Sequence, residues 1–256
     1  MRGLPGKVIV LAGGAGGIGT ATCTRLAEEG ATVVVGDIDQ GAAEAIASGI
    51  TAAGGRAVGT GVDVRDEESV ARLYGLAVDA FGGVDGTHIN AADLRPEVIF
   101  SDTDAGDVDL GVFDHTLDVD LRGHLLCVRA AIPVLLARGG GAIVHTSSAA
   151  AFMGDRTRPS YAIAKSGINA LVRHMAARWG KEGIRANAVA PGVVITPSVA
   201  ARGVSDFQRE ALKRTPSPRL GRPGDIAAMV AFLLSDDGEW VNGQVVSVDG
   251  GSTKRG

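Results

Sequence analysis

The chain has 256 residues, of which 45% are hydrophobic and 21% charged, a globular balance that argues against extended disorder and allows one α/β domain with a full core. A formal charge of −4 and a pI of about 5.7 exclude an electrostatic nucleic-acid binder; the basic clusters "RTRP" and "STKRG" are short and scattered. The N-terminal apolar run is too short for a signal peptide, no window approaches the ~18 apolar residues of a membrane span, and two distant cysteines suit a reducing compartment, so a cytoplasmic protein is expected.

Short β-branched runs alternate with longer helical patterns. "KVIVLA" (7–12) predicts a buried strand, followed by glycines and by "TATCTRLAEEG", a helix stopped at Gly30. "ATVVVGD" (31–37) predicts a second strand and "GAAEAIASGITAAGG" a helix ended by paired glycines. "RAVGTGVDV" (56–64) is the third strand, and "DEESVARLYGLAVDAFGG" opens with acids suited to a helix N-terminus. "VDGTHINAA" and "GGAIVHTSS" supply the fourth and fifth strands, and "IRANAVAPG" and "GQVVSVDGG" follow a helix that carries "PSYAIAKSG". This alternation predicts βαβ units: a single doubly wound Rossmann-type domain over 1–256, its mostly parallel, about seven-stranded sheet covered by helices on both faces.

One segment departs from the pattern. The connection after Ala92 is longer than most and rich in aspartate, and 93–112 reads as an extended, solvated loop near a site or a subunit contact. A calcium loop counted from Asp102 fails, because its sixth position is Asp107 and its twelfth Phe113 where glycine and glutamate are required.

Chemistry first suggests itself in "AGGAGGIG" (12–19), between a strand and a helix. Side-chain-free residues let the backbone turn sharply and approach a ligand, and exposed amides at a helix start attract pyrophosphate. Two registers are open: Gly14, Gly16 and Gly19 fit G-x-G-x-x-G, while Gly13, Gly17 and Gly19 fit G-x-x-x-G-x-G. Asp37, 18 residues beyond Gly19, can accept hydrogen bonds from ribose hydroxyls and would repel a 2′-phosphate, and no Arg or Lys follows it directly, which predicts NAD over NADP. The competing reading of Asp37 is a helix N-cap. Tyr161 and Lys165 stand at i and i+4, so on a helix an ammonium would lie beside a phenol and favour its ionised form.

Together these features resemble the short-chain dehydrogenase/reductase family, in its subgroup of roughly 250-residue enzymes, over almost the whole chain. Residues 12–19 are similar to T-G-x-x-x-G-I-G, including Gly13, Gly17, Ile18 and Gly19, with Ala12 in place of threonine. Asp63 and Val64 match the adenine-contacting pair. "INAA" stands where N-N-A-G is usual, so Asn90 and Ala91 match while Ile89 and Ala92 depart. The family's serine, 13 residues before the tyrosine, falls on Ser148, which leaves Ser147 to serve the strand-end turn. Pro191, Gly192, Val194 and Thr196 match the segment over the nicotinamide, and "GRPGDIA" and "VDGG" match C-terminal marks.

The resemblance implies Tyr161 as acid/base, Lys165 as its neighbour and a ribose ligand, and Ser148 as hydrogen-bond partner of the reacting oxygen. The fourth position of the catalytic set, usually asparagine, is Asp120 in "VDLRG"; a carboxylate there could accept from a backbone amide or pair with Lys165. A small secondary alcohol or ketone is the implied substrate and a homotetramer the implied assembly, without nucleic-acid or membrane partners. The pocket is expected after Ser148 and from 93–112 and 197–215, with Arg156 or Arg158 available to an anionic group. Two other readings stand beside this one: a 3-oxoacyl-thioester reductase using NADPH, and a nucleotide-binding regulator without chemistry.

The five histidines (88, 115, 124, 145, 174) have no metal spacing and read as surface or satisfied core residues, so no metal is expected. Cys23 and Cys127 read as buried free thiols, and Trp179 and Trp240 as packing residues.

Overall fold

The computed structural model describes residues 1–201, 203 and 205–254. In chain order the elements are β1 (Val8–Ala12), α1 (Gly17–Glu28), β2 (Thr32–Asp37), α2 (Gln40–Ala52), β3 (Arg56–Gly61), α3 (Glu67–Phe81), β4 (Gly86–Ile89), α4 (Pro96–Ile99), α5 (Leu110–Leu117), a π turn (Asp118–Arg122), α6 (Gly123–Ala137), β5 (Gly141–Thr146), α7 (Pro159–Trp179), β6 (Ile184–Pro191), α8 (Pro197–Ala200), α9 (Asp206–Arg214), α10 (Pro223–Leu234) and β7 (Val245–Val248). The strands form one seven-stranded sheet in the order β3-β2-β1-β4-β5-β6-β7. Every pairing is parallel.

Why the strands read as unbroken apolar runs is clear from what covers them. All five residues of β1 are buried, as a parallel sheet sandwiched between helices requires. Val8, Val10 and Ala12 face a core shared with Val70, Leu73 and Ala77 of α3 and Leu126, Ala131 and Leu135 of α6. Ile9 and Leu11 point the other way, into a core with Cys23 and Leu26 of α1, Ala43 and Ile50 of α2 and Ile226 and Val230 of α10. The period-two alternation of a strand thus feeds both layers. Each fully buried aliphatic contributes roughly 1.5–3 kcal/mol by leaving water. Cys23 and Cys127 are free and buried, and burial pushes the Cys127 thiol up to about 12.

Three sequence expectations need correction. The third strand ends at Gly61 rather than Val64, because Val62 to Val64 turn away toward the cleft. The segment after Ala92 is not a solvated loop throughout. It contains α4, and from Leu110 it is helical, α5 being capped by Asp109, which accepts from the Gly111 and Val112 amides. Trp240 does not pack: it is 97% exposed, whereas Trp179 sits edge-on to His174. No helix among the described residues is long and apolar enough to cross a membrane.

Candidate active site

The strand order reverses direction at β1, whose neighbours are β2 and β4, and in open parallel sheets such a switch point opens a crevice at the carboxyl ends of the strands. A cleft of about 860 Å³ lies there, lined among others by Gly13, Gly16, Asp37, Ser148, Tyr161 and Lys165. Its size lies in the range of small-molecule sites.

One half of the cleft is built by the glycine loop. Gly13 adopts φ +86° while its N–H and that of Gly14 both donate to the Gly36 carbonyl, at 2.8 and 2.9 Å, which ties the loop to the end of β2. A Cβ on Gly19 would stand 2.3 Å from the Gly13 carbonyl oxygen, so α1 can start this close to the loop only with glycine there. Gly16 differs: a Cβ there would meet nothing within 4 Å and would project into open space.

No side chain caps α1 and no acid occupies its first turn, so its first amides have no anionic partner from the chain. Asp37 accepts from the Ala15 N–H at 2.8 Å, and the helix-capping part falls instead to Asp39, which accepts from Ala42. Uncapped amides, an open glycine and a carboxylate on the cleft wall fit a dinucleotide, its pyrophosphate on α1 and its adenosine ribose toward Asp37. Beyond them Asp63 is held by Arg65 in a two-pronged ion pair, its acidity strengthened mainly by that hydrogen bonding, while Val64 is buried nearby. On the opposite rim Thr196 presses against the loop, since a Cβ on Gly17 would lie 2.6 Å from the Thr196 Cβ, and Pro191, Gly192 and Val194 continue that rim.

Asn90 and Ala91 form the floor. The Asn90 amide donates to the Gly13 carbonyl at 2.8 Å and its oxygen accepts from Thr146 Oγ1 at 2.8 Å, locking the loop to the ends of β4 and β5. Ile18 faces the cleft one residue into α1.

The reacting half rests on α7. Lys165 Nζ lies 5.4 Å from the centre of the Tyr161 ring, as the i and i+4 spacing predicts. The lysine side chain is fully buried; its ammonium donates to the Thr146 carbonyl at 3.4 Å and lies 3.4 Å from Asp120 Oδ2. Asp120 Oδ1 accepts from the Asp93 N–H at 3.0 Å, so its carboxylate makes both contacts weighed from sequence. Asp120 sits in the π turn between α5 and α6, where the helix bulges and aims this side chain inward. Burial raises the Asp120 carboxyl above the usual carboxylate range, and Lys165 opposes that shift.

The turn expected of Ser147 is capped by Ser148, which also lines the cleft. Ser148 Oγ accepts from Ala150 N–H and caps the turn at 149–151, which leaves its hydroxyl hydrogen free to donate into the cleft. Ser147 is buried and donates to Asn169 Oδ1 at 2.7 Å, bracing α7.

Sequence reasoning missed what positions Tyr161. The residue before α7, Arg158, has φ +65° and offers no side-chain cap. Asp102, 3% exposed, caps the helix from a distance: Oδ1 accepts from Ser160 Oγ at 2.7 Å and Ser160 N at 3.2 Å, and Oδ2 accepts from Tyr161 N at 3.0 Å. No local spacing signals this contact. The Arg158 guanidinium pairs with Asp155, and neither it nor Arg156 lines the cleft, so the two arginines are not cleft cations. The arginines that do line it, Arg65 and Arg95, are held by Asp63 and Asp93.

The histidines are also not all satisfied. His88, His124 and His145 are fully buried, the last two near enough to Lys165 to feel its charge, with His124 Nδ1 3.0 Å from His145 Nδ1 and His88 Nε2 2.9 Å from Thr146 Oγ1. His88 Nδ1 and His145 Nε2 have no hydrogen-bond partner among the described residues. Burial lowers both rings to about 3 and His124 well below its ordinary value, so all three are neutral.

Comparison with known proteins agrees with this geometry. A family model described as "Enoyl-(Acyl carrier protein) reductase" matches residues 13–253. A probable short-chain type dehydrogenase/reductase of Bradyrhizobium diazoefficiens is 44% identical over 96% of this chain and 87% of its own length. The cis-4-hydroxycyclohexanecarboxylate dehydrogenase of Sinomonas cyclohexanicum is 39% identical over 96% of both chains. Among solved structures, a 7α-hydroxysteroid dehydrogenase complexed with NADH and 7-oxo glycochenodeoxycholic acid superposes with a TM-score of 0.89 at 30% identity, over 99% of this chain and 96% of that one.

The chain belongs to the short-chain dehydrogenase/reductase family. It is an oxidoreductase that acts on CH–OH groups with a nicotinamide coenzyme.

Proposed function

We propose that this protein is an NAD-dependent oxidoreductase that interconverts a secondary alcohol and a ketone, with Tyr161 as general acid/base. The observation that carries this reading is the placement of the Tyr161 ring beside the buried Lys165 ammonium, in the same cleft as the uncapped start of α1. When bound, the coenzyme supplies the hydride acceptor in oxidation and the donor in reduction. In oxidation Tyr161 takes the hydroxyl proton as hydride leaves the carbinol carbon; in reduction it returns that proton to the carbonyl oxygen. Ser148 donates a hydrogen bond to the reacting oxygen and stabilises the negative charge that develops there. Lys165, paired with Asp120 at 3.4 Å, sets its ammonium beside the phenol and offers N–H groups to the nicotinamide ribose.

Asp37 supports NAD over NADP, because a carboxylate at the adenosine ribose repels a 2′-phosphate and Ile38, Asp39 and Gln40 bring no cation to offset it. Leu94, Val194 and Val199 at the cleft support a modestly apolar alcohol. The relatives named for a hydroxycyclohexanecarboxylate and a hydroxysteroid suggest a ring-borne hydroxyl. A homotetramer belongs to the same reading, supported by the exposed apolar Leu125, Leu136 and Trp240.

The test is a panel of cyclic and open-chain secondary alcohols with NAD and then NADP, followed by absorbance of the reduced nicotinamide. Faster turnover with NAD on cyclic alcohols is expected. A preference for NADPH and 3-oxoacyl thioesters would favour the reductase reading, and coenzyme binding without turnover of any alcohol would favour a regulator.

A further inference from the structure

We propose that Asp120, as the buried counter-ion of Lys165, offsets the lysine's charge at the reacting end of the cleft and thereby favours the cationic, oxidised nicotinamide over its neutral, reduced form. This rests on the coenzyme reading above and adds a direction to it: a site that grips the oxidised form and releases the reduced one is biased toward alcohol oxidation.

The argument starts from geometry. Asp120 and Lys165 are 1% and 0% exposed, and their charged atoms lie 3.4 Å apart. Oδ1 of the carboxylate is occupied by the Asp93 amide, whereas Oδ2 faces the Lys165 ammonium. Among the described residues the Lys165 ammonium has one other hydrogen-bond partner, the Thr146 carbonyl, which carries no charge.

The other titratable groups around it are three histidines, Asp93, Asp102 and the Tyr161 phenol. His88 on β4, His145 on β5 and His124 on α6 are held neutral by burial. Asp93, after β4, is paired with Arg95 and hydrogen-bonded to His115 of α5. Asp102 is spent on the first turn of α7. Tyr161 and Asp102 are common to the parent and to an Asp120 variant, so the difference in charge between the two at the site of hydride exchange is that of Asp120.

Oxidised nicotinamide carries a positive ring charge that the reduced form lacks, so the two forms respond differently to any charge nearby. At an effective dielectric near 20, a unit charge about 10 Å away changes such a preference on the order of tenfold. Asparagine would keep the acceptor for the Asp93 amide and remove only the charge. Asp120 in this account acts through the field at the site and through Lys165, so it is a positioning residue.

The test is direct measurement of dissociation constants for NAD and NADH, by calorimetry and by nucleotide fluorescence, on the full-length chain and its Asp120→Asn variant. The ratio of the NAD constant to the NADH constant is expected to rise roughly fivefold to tenfold in the variant. Lys165→Met, which removes the cation instead, is expected to move the ratio in the opposite direction. Asp120→Ser provides the same comparison if circular dichroism shows that Asp120→Asn is unfolded.

A ratio that stays within twofold of the parent in the folded Asp120 variants, or that falls, overturns the inference, as it would if the carboxyl were protonated. Equal weakening of both nucleotides also overturns it, since that marks a purely structural part. If the parent protein binds neither nucleotide, the coenzyme reading itself fails. If both bind and only the ratio is unmoved, that reading stands and this one does not.

Discussion

The chain has two tyrosines, and their surroundings separate structure from chemistry. Tyr74 is buried in α3, shares a 2.9 Å hydrogen bond with Thr87 Oγ1, and has its acidity suppressed chiefly by burial. Tyr161 stands partly exposed in the cleft with an ammonium at its ring. Removing only its hydroxyl, in Tyr161→Phe, is expected to lower turnover by about 10²–10⁴-fold while NAD still binds. A variant as active as the parent on a true substrate would remove the acid/base assignment. At the other end of the cleft, Asp37→Ser removes the charge that opposes a 2′-phosphate. The ratio of kcat/KM for NADP to that for NAD should then rise at least about tenfold; an unchanged ratio would mean that coenzyme choice lies elsewhere.

Among the elements, α7 is the one whose position matters most, and its start is unusual. Its preceding residue is left-handed and caps nothing, so the helix depends on Asp102, 59 residues before Tyr161, for satisfaction of its first amides. A carboxylate at a helix N-terminus also complements the macrodipole. Asp102→Ala leaves buried Ser160 without its acceptor and is expected to cost about 2–4 kcal/mol in urea unfolding. Asp102→Asn, which keeps one acceptor oxygen, should lose less. Equal and negligible losses in both variants would show that the contact carries no stability. The same latch joins α7 to the segment holding Asp93, Leu94 and Pro96, so the cleft wall and the proposed acid/base are fixed together.

At the scale of the whole molecule, the sheet carries a pH sensitivity in its centre. His88 and His145 lie on adjacent strands, β4 and β5, and His124 packs over them from α6. Their folded-state values lie below the ordinary 6.5, at about 3 for two of them, so between those limits the unfolded chain binds more protons than the folded one. The stability these groups contribute is complete above pH 6.5 and is lost as pH falls toward 3. Each contributes a slope of about 1.4 kcal/mol per pH unit in that window. Urea midpoints recorded from pH 7 downward should therefore fall steeply below 6.5, and less steeply in His145→Gln. An equally steep fall in the variant would assign the acid sensitivity to other groups.

How much of this was legible in one dimension follows from the range of the forces involved. Strand and helix order, the glycine loop, Asp37 at a strand end and the Tyr161–Lys165 pair are local patterns: a backbone that must turn, an apolar run that must be covered on both faces, two side chains a helical turn apart. Such features depend on residues near each other in sequence, and the chain alone determined them, along with the family. The division of labour between Ser147 and Ser148, the Asp102 cap, the pairing of Arg65 and Arg95 with aspartates and the unpartnered nitrogens of the histidines were decided only in three dimensions. Each depends on which distant group arrives within hydrogen-bond reach and on whether water is excluded there. Asp120 belongs to both: the sequence showed a carboxylate where an amide is usual, but only the packing of the π turn against α7 made it the buried partner of Lys165.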